Sequence, residues 1–326
     1  MTVHWLAICL FALIETLCAA TPALADAGLC SASATSVNFG TLGVSTLQGA
    51  TTMGTTTLTC PGGENHWSTW YFCTSIGVGT NSVSQTNRTL TSGANSIAYQ
   101  LYMDSGYANI FQYVGTDVYS GAYSYTTGAS VPQTIYAKIS GSPLSVPPGT
   151  YSDSYSSGAQ AVITSFGNGV VGNPANTCTG YTGANWWNTL SFTVSVTLQA
   201  SCIVSATSIS FGSVASLASN NDTTGTVSVT CTSSTPYKIA LGYGNGVGAG
   251  AGSGRYMVGP GGSQINYNLY QDSSRSTNWG NNLGVDTVAS TGTGADQDFT
   301  VYARVPPQTV PPLGYYSDTV VVTVNY

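Results

Sequence analysis

Charge is what this sequence has least of. Of 326 residues, six are Lys or Arg and 12 are Asp or Glu, giving a formal net charge of -6. There is no basic patch for nucleic acid or anionic lipid, so solubility rests on hydroxyl and amide side chains. Histidine is scarcer still, with only His4 and His66. A Ser-His-Asp triad would have to use His66, and a histidine-based metal site lacks ligands. The chain therefore reads as a non-enzyme for which no cofactor and no metal is expected. Beyond the first residues no apolar run is long enough to cross a bilayer, so no membrane insertion is expected. The Gly-rich run from Gly242 to Gly254 has neither the G-x-G-x-x-G spacing nor a Walker lysine, and reads as a flexible hairpin connection.

What is present begins with an apolar run from Trp5 to Ile14 and the small-residue site Ala23-Leu24-Ala25. This is a secretory signal over residues 1–25, with Asp26 expected as the first mature residue. The remaining ~300 residues suit two domains. Gly, Ser, Thr, Val, Tyr and Asn dominate, and short alternating segments are separated by Gly, Pro, Asn and Asp, an all-β pattern. Cys9 and Cys18 leave with the signal. Cys30, Cys60, Cys73, Cys178, Cys202 and Cys231 stay, and an exported chain with these cysteines implies a disulfide framework.

The mature sequence is a duplication. CSASATSVNFGTL at Cys30 stands beside CIVSATSISFGSV at Cys202, and each copy then reaches TLTC at Cys60 or SVTC at Cys231. IAYQLYMDS from Ile97 answers INYNLYQDS from Ile265, TIYAKI answers TVYARV, and PPGTYSD at Pro147 answers PPLGYYSD at Pro311. These anchors recur in one order. The repeat pairs Cys30 with Cys60 and Cys202 with Cys231, leaving Cys73 for Cys178. Each short bridge closes a loop of about 30 residues, worth roughly 3 to 4 kcal/mol on the chain-entropy model. Turn-separated short strands predict two immunoglobulin-like antiparallel β-sandwich domains in tandem, residues 26–199 and 200–326. Asp104, Asp153, Asp272 and Asp318 recur after strands and are expected in turns or caps.

The copies differ at their ends. LSFTVSVTL, Leu190 to Leu198, alternates Phe192, Val194, Val196 and Leu198 with Ser and Thr, a half-buried strand. After Ser317-Asp318 the second copy has only TVVVTVNY. Either Ala161 to Ser165 is the last common strand and Leu190 to Leu198 an additional seventh, or Leu190 to Leu198 is the common strand after an insertion. The second domain is expected to lack its last strand, which exposes core groups and unpaired backbone and invites strand addition. Bacterial pilus subunits use that deficiency in donor-strand complementation. A donor extension needs roughly ten residues, one to two strand lengths. Only Asp26 to Leu29 precede Cys30, so the chain is expected to accept a strand, give none and sit at a fibre end.

At this point the sequence resembles a known family. The Cys-to-Cys segments with NFG or SFG, the strands YQLYMD and YNLYQD, Arg255-Tyr256-Met257 and the terminal YSDTVVVTVNY run look like spore coat protein U domains, the pilin modules of archaic chaperone-usher pili of the Csu type. The resemblance spans both halves, more strongly from Cys202 to Tyr326. Two such modules without a donor extension resemble the tip adhesin of those pili. The resemblance implies a periplasmic chaperone, an outer-membrane usher, a next pilus subunit supplying the donor strand, biofilm formation, and attachment through hydrophobic fingers of the N-terminal domain. Leu313 before Gly314 departs from the family pattern, and the first-domain loops need not match any relative's.

The expected contacts follow. For an abiotic or host surface they are Trp67, Trp70, Tyr71, Tyr113, Val114, Val170, Val171, Tyr181 and Trp186, drawn from three aromatic loops, of which Cys73 to Cys178 would tie the first to the third. Aromatics also cap cores, and Phe72 and Trp187 are expected to be buried. For chaperone or donor strand the expected contacts are Val320, Val322, Val324 and Tyr326. Other readings are a secreted carbohydrate-binding module, which a defined glycan would compete off a surface, and a structural coat or matrix protein, whose loss would leave attachment intact.

Overall fold

The computed structural model describes residues 30–60, 69–113, 119–124, 128–141, 145–167 and 186–326. The first copy opens with β1 (Ser31–Ala34), β2 (Val37–Leu42), β3 (Thr51–Cys60), β4 (Thr69–Ile76), β5 (Arg88–Ser92) and β6 (Asn95–Tyr102). It continues with β7 (Tyr119–Ser124), β8 (Ala129–Ile139), β9 (Gly149–Tyr155), β10 (Ala161–Gly167), β11 (Trp186–Thr189) and β12 (Phe192–Leu198). The second copy supplies β13 (Cys202–Ala206), β14 (Asn221–Cys231), β15 (Pro236–Leu241) and β16 (Arg255–Val258), then β17 (Gln264–Tyr270), β18 (Val288–Thr291), β19 (Gln297–Val305) and β20 (Val322–Asn325).

The all-β expectation holds, as two sandwiches in tandem. In the first, eight strands pair in the order β1-β3-β8-β6-β5-β9-β12-β2 across a core from a four-stranded sheet, β11-β10-β4-β7. The second repeats this plan as β13-β14-β19-β17-β16 against β18-β15-β20. Alternation sets the faces. In β12, Phe192, Val194, Val196 and Leu198 are buried while the Thr and Ser between them are half-buried. Burying each such side chain contributes roughly 1.5 to 3 kcal/mol before ordering costs.

Cys30–Cys60 and Cys202–Cys231 each join neighbouring antiparallel strands, with Cα atoms 4.2 and 4.1 Å apart. Cys73, buried in β4, is also disulfide-bonded; Cys178, its expected partner, lies outside the described residues.

The pairing follows the first of the two alignments. β10 pairs with β4 through Ala161 opposite Ile76, and β20 pairs with β15 through Val322 opposite Leu241. β12 is therefore additional to the first copy, antiparallel to β9 on one side and parallel to β2 on the other.

Two expectations need correction. Trp70, Tyr71 and Trp186, expected in loops, lie in strands β4 and β11; aromatic residues favour strands, and a partner strand was within reach. Asp153 follows no strand but sits inside β9 at 0% exposure, where Tyr99, Ser82 and the Asn81 backbone N–H all donate to its carboxylate. Asp104 and Asp272 do hold turns, accepting backbone N–H groups of Asn109 and of Ser276 and Thr277.

The joint between the copies is hydrogen-bonded. Val44 N–H, at the start of the short helix α1 (Val44–Leu47), donates to Ser201 Oγ at 2.7 Å. Gln199 N–H donates to Leu42 O at 2.9 Å and Thr232 N–H to Ser201 O at 3.0 Å.

Candidate functional site

The two copies share a polar skeleton that fixes what surrounds the candidate site. In the first, Arg88 donates from Nε to Gly77 O (3.0 Å) and from Nη2 to Ile76 O (2.8 Å) and Phe111 O (2.7 Å). In the second, Arg255 donates from Nε to Gly242 O (2.8 Å) and from Nη2 to Leu241 O (2.9 Å) and Trp279 O (2.7 Å). The guanidiniums are 0% and 2% exposed as residues, and among the described ion pairs neither finds a carboxylate. Their charge is dispersed over backbone carbonyls, the arrangement burial demands of an unpaired cation. Burial also draws the Arg255 guanidinium below its usual pKa.

Against this common frame the second copy has, among the described residues, no strand at the place of β12. Where β12 fills the first copy, the second has a trough of about 480 Å³. One wall is Ala206 to Ile209 with Phe211, the other runs from Tyr315 to Val320, and Val227, Leu241, Met257, Tyr267, Leu269 and Val301 lie between. By the repeat, residues 209–211 correspond to the start of β2 and residues 315–320 to β9, yet neither stretch forms a strand here. A strand requires a pairing partner on its edge, and among the described residues none lies between them.

Both walls already stand in place. Thr207 N–H donates to Thr226 O at 2.9 Å as Thr35 N–H does to Thr55 O at 2.8 Å. A Cβ on Gly225 would strike Ile209 just as one on Gly54 would strike Val37, so glycine permits the same close approach in both. On the opposite side, Asp318 accepts from Tyr267 Oη (2.7 Å) and Asn245 N–H (2.8 Å), matching Asp153. Tyr316 Oη donates to Pro312 O and Tyr151 Oη to Pro147 O, both at 2.6 Å. Val258 and Ser317 bond each other's backbone as Thr91 and Ser152 pair in the first copy.

What changes is burial. Val37, Leu90, Ile97 and Tyr155 are buried in the first copy. Their counterparts Ile209, Met257, Ile265 and Val320 are only half-buried. At the rim Leu313 and Tyr315 are 94% and 84% exposed. Apolar positions that are core in the first copy are thus half-exposed along the trough in the second.

Of the residues expected here, Val320 and Val322 line the trough, Val324 packs on the second core, and Tyr326 is exposed. Sequence reasoning missed Ile209, Phe211, Met257, Tyr267 and Leu269; the signal was available by asking which positions of the duplicate face β12. Of the surface-contact set, Trp67, Val114, Val170, Val171 and Tyr181 lie outside the described residues. Backbone pairing brings the rest of the aromatic segments onto one sheet: Trp70 opposite Tyr123 of β7 and Gly167 of β10, and Trp186 opposite Ser165. Tyr113 is half-buried, its N–H donating to Gln85 Oε1 at 2.6 Å. Phe111 is core.

Among curated proteins nothing matches the sequence. Among solved structures, the pre-assembly complex of the CsuC chaperone with the CsuE tip adhesion subunit of archaic chaperone-usher Csu pili from Acinetobacter baumannii contains a chain that superposes with TM-score 0.54 at 18% identity. The match covers 91% of this chain and 100% of that one. The CupB6 tip adhesin from Pseudomonas aeruginosa matches with TM-score 0.38 at 12% identity, over 91% of this chain and 93% of that one. The model of the Spore Coat Protein U domain matches twice, over residues 15–156 and 188–323. The two family matches together leave out residues 157–187, which include β10, and otherwise take in most of both copies of the repeat; the chain belongs to the Spore Coat Protein U domain family.

Proposed function

We propose that the chain is the tip adhesin of a chaperone-usher pilus. In this reading it is exported through the periplasm, held there by a chaperone, passed to an outer-membrane usher, and displayed at the cell surface. The second domain accepts an extended strand, first from the chaperone and then from the next subunit. The first domain, closed by its own β12, contacts an abiotic or host surface through its aromatic segments and supports biofilm formation. The observation that carries the reading is the trough between residues 206–211 and 315–320, at the place where the duplicate holds a strand. The family membership and the tandem fold shared with a chaperone-bound tip adhesion subunit support it.

Capture of the tagged chain by its co-expressed chaperone tests the reading. The intact chain is expected to co-purify, and a chain lacking Val320 to Tyr326 is not. Normal export of that truncation without chaperone counts against strand acceptance. For the first domain, polar replacement of Trp67 or of Val170 and Val171 is expected to reduce wash-resistant attachment to polystyrene while leaving export intact. Loss of export instead would mean that these residues are core.

A further inference from the structure

Tyr99 and Tyr267 occupy the same place in the two copies, but their hydroxyls have different company. Tyr99 Oη donates to Asp153 Oδ2 at 2.8 Å and lies 2.9 Å from Tyr155 Oη, so it can both donate and accept. The Tyr155 ring reaches it from β9 and is covered by Phe192 of β12, the two rings stacked with centroids 4.5 Å apart. Phe192 stands directly opposite Tyr155 in the strand register. In the second copy Tyr267 Oη donates to Asp318 Oδ2 at 2.7 Å, but Val320 stands where Tyr155 would be. The volume of one aromatic ring is thereby open to the trough, and Tyr267, 5% exposed, keeps an acceptor position without its counterpart's partner. A buried hydroxyl missing one hydrogen bond is a polar fixture in an apolar channel.

Resting on the reading of the trough as a strand acceptor, we infer that the incoming strand carries a tyrosine opposite Val320, its ring filling the space of Tyr155 and its hydroxyl donating to Tyr267 Oη. The occupant is an extended segment of alternating apolar residues with this tyrosine at one end. It runs antiparallel to residues 315–320, as β12 runs antiparallel to β9. A phenylalanine there fills the volume but leaves the acceptor unpaired, and a small residue leaves both the acceptor and a cavity. Val320 and Tyr267 together thus select among strands that share the same apolar alternation.

The probes are two synthetic peptides: LSFTVSVTL, the sequence Leu190 to Leu198, and the same peptide carrying F192Y. Binding to the mature full-length chain is read by fluorescence anisotropy. The F192Y peptide is expected to bind roughly tenfold tighter, one net hydrogen bond's worth. Tyr267→Phe, which also removes a donor to Asp318, is expected to weaken both peptides and bring their affinities together, and Val320→Tyr, which rebuilds the first copy's arrangement, is expected to abolish the advantage as well. Equal affinities in the wild-type chain, or an advantage that survives Tyr267→Phe, overturn the inference and leave strand acceptance standing. If neither peptide binds, strand acceptance itself falls and the inference with it.

Discussion

Arg88 and Arg255 show how a single side chain can hold several loops at once. Arg88 donates to backbone carbonyls of Ile76, Gly77, Gln85 and Phe111, Arg255 to those of Leu241, Gly242 and Trp279, and Leu241 also lines the trough. Arg255→Met strands three buried acceptors, so the second domain should lose about 3 kcal/mol or more in chemical denaturation. Arg255→Lys, with one compact ammonium in place of a planar fork, should recover only part. The sequence displayed Arg255 in its RYM segment but gave no hint of the role, because the acceptors are main-chain atoms that no residue pattern encodes. Acid sensitivity also belongs to this scale. Hydrogen bonds from Asn109 N–H hold Asp104, those from Ser276 N–H hold Asp272, and Arg304 holds Asp222, all below the ordinary carboxylate range. A depressed folded-state pKa gives stability that is present above the unfolded value, about 4, and lost as pH falls through the folded one. Thermal midpoints should therefore decline below about pH 4, and Asp272→Asn should flatten that decline.

At the scale of the element, β12 decides what its neighbours become. VNFGTL in the first copy and ISFGSV in the second carry nearly the same pattern, yet only the first is a strand, because only it has β12 beside it. The alternation of LSFTVSVTL was legible, since one face meets a core and the other does not. The fate of residues 207–214 and 314–321 was not, because strand formation there depends on a partner rather than on the segment's own residues. The aromatic segments misled for a related reason: Gly and Asn around them signalled loops, while pairing to β4 made strands of their ends. Two substitutions separate the roles. Val194→Asp buries an unpaired charge between β9 and β2 and should cost the first domain about 3 to 5 kcal/mol by calorimetry. Val320→Asp, at a half-exposed wall, should cost far less in stability while abolishing peptide capture.

For the whole molecule, a duplication that has β12 in one copy and a trough in the other predicts unequal halves. Heating the mature chain should give two transitions, the lower from the domain with the trough. Saturation with a complementary peptide at about 100 times its Kd should add about 2.7 kcal/mol to that domain alone and raise only the lower transition. A single transition that shifts as one would mean that the copies unfold together.

The joint at Ser201 has a mechanical consequence. A pull applied along the tandem would enter the second sandwich at Cys202, on the edge strand β13, which could otherwise peel from β14 one hydrogen bond at a time. The Cys202–Cys231 bridge sits at that first residue, with Cys202 directly opposite Cys231 in the register. Tension therefore crosses by a covalent link into β14, which is paired to β19 from Asn221 to Val229. A pull at this waist would load the bridge before any β13–β14 hydrogen bond.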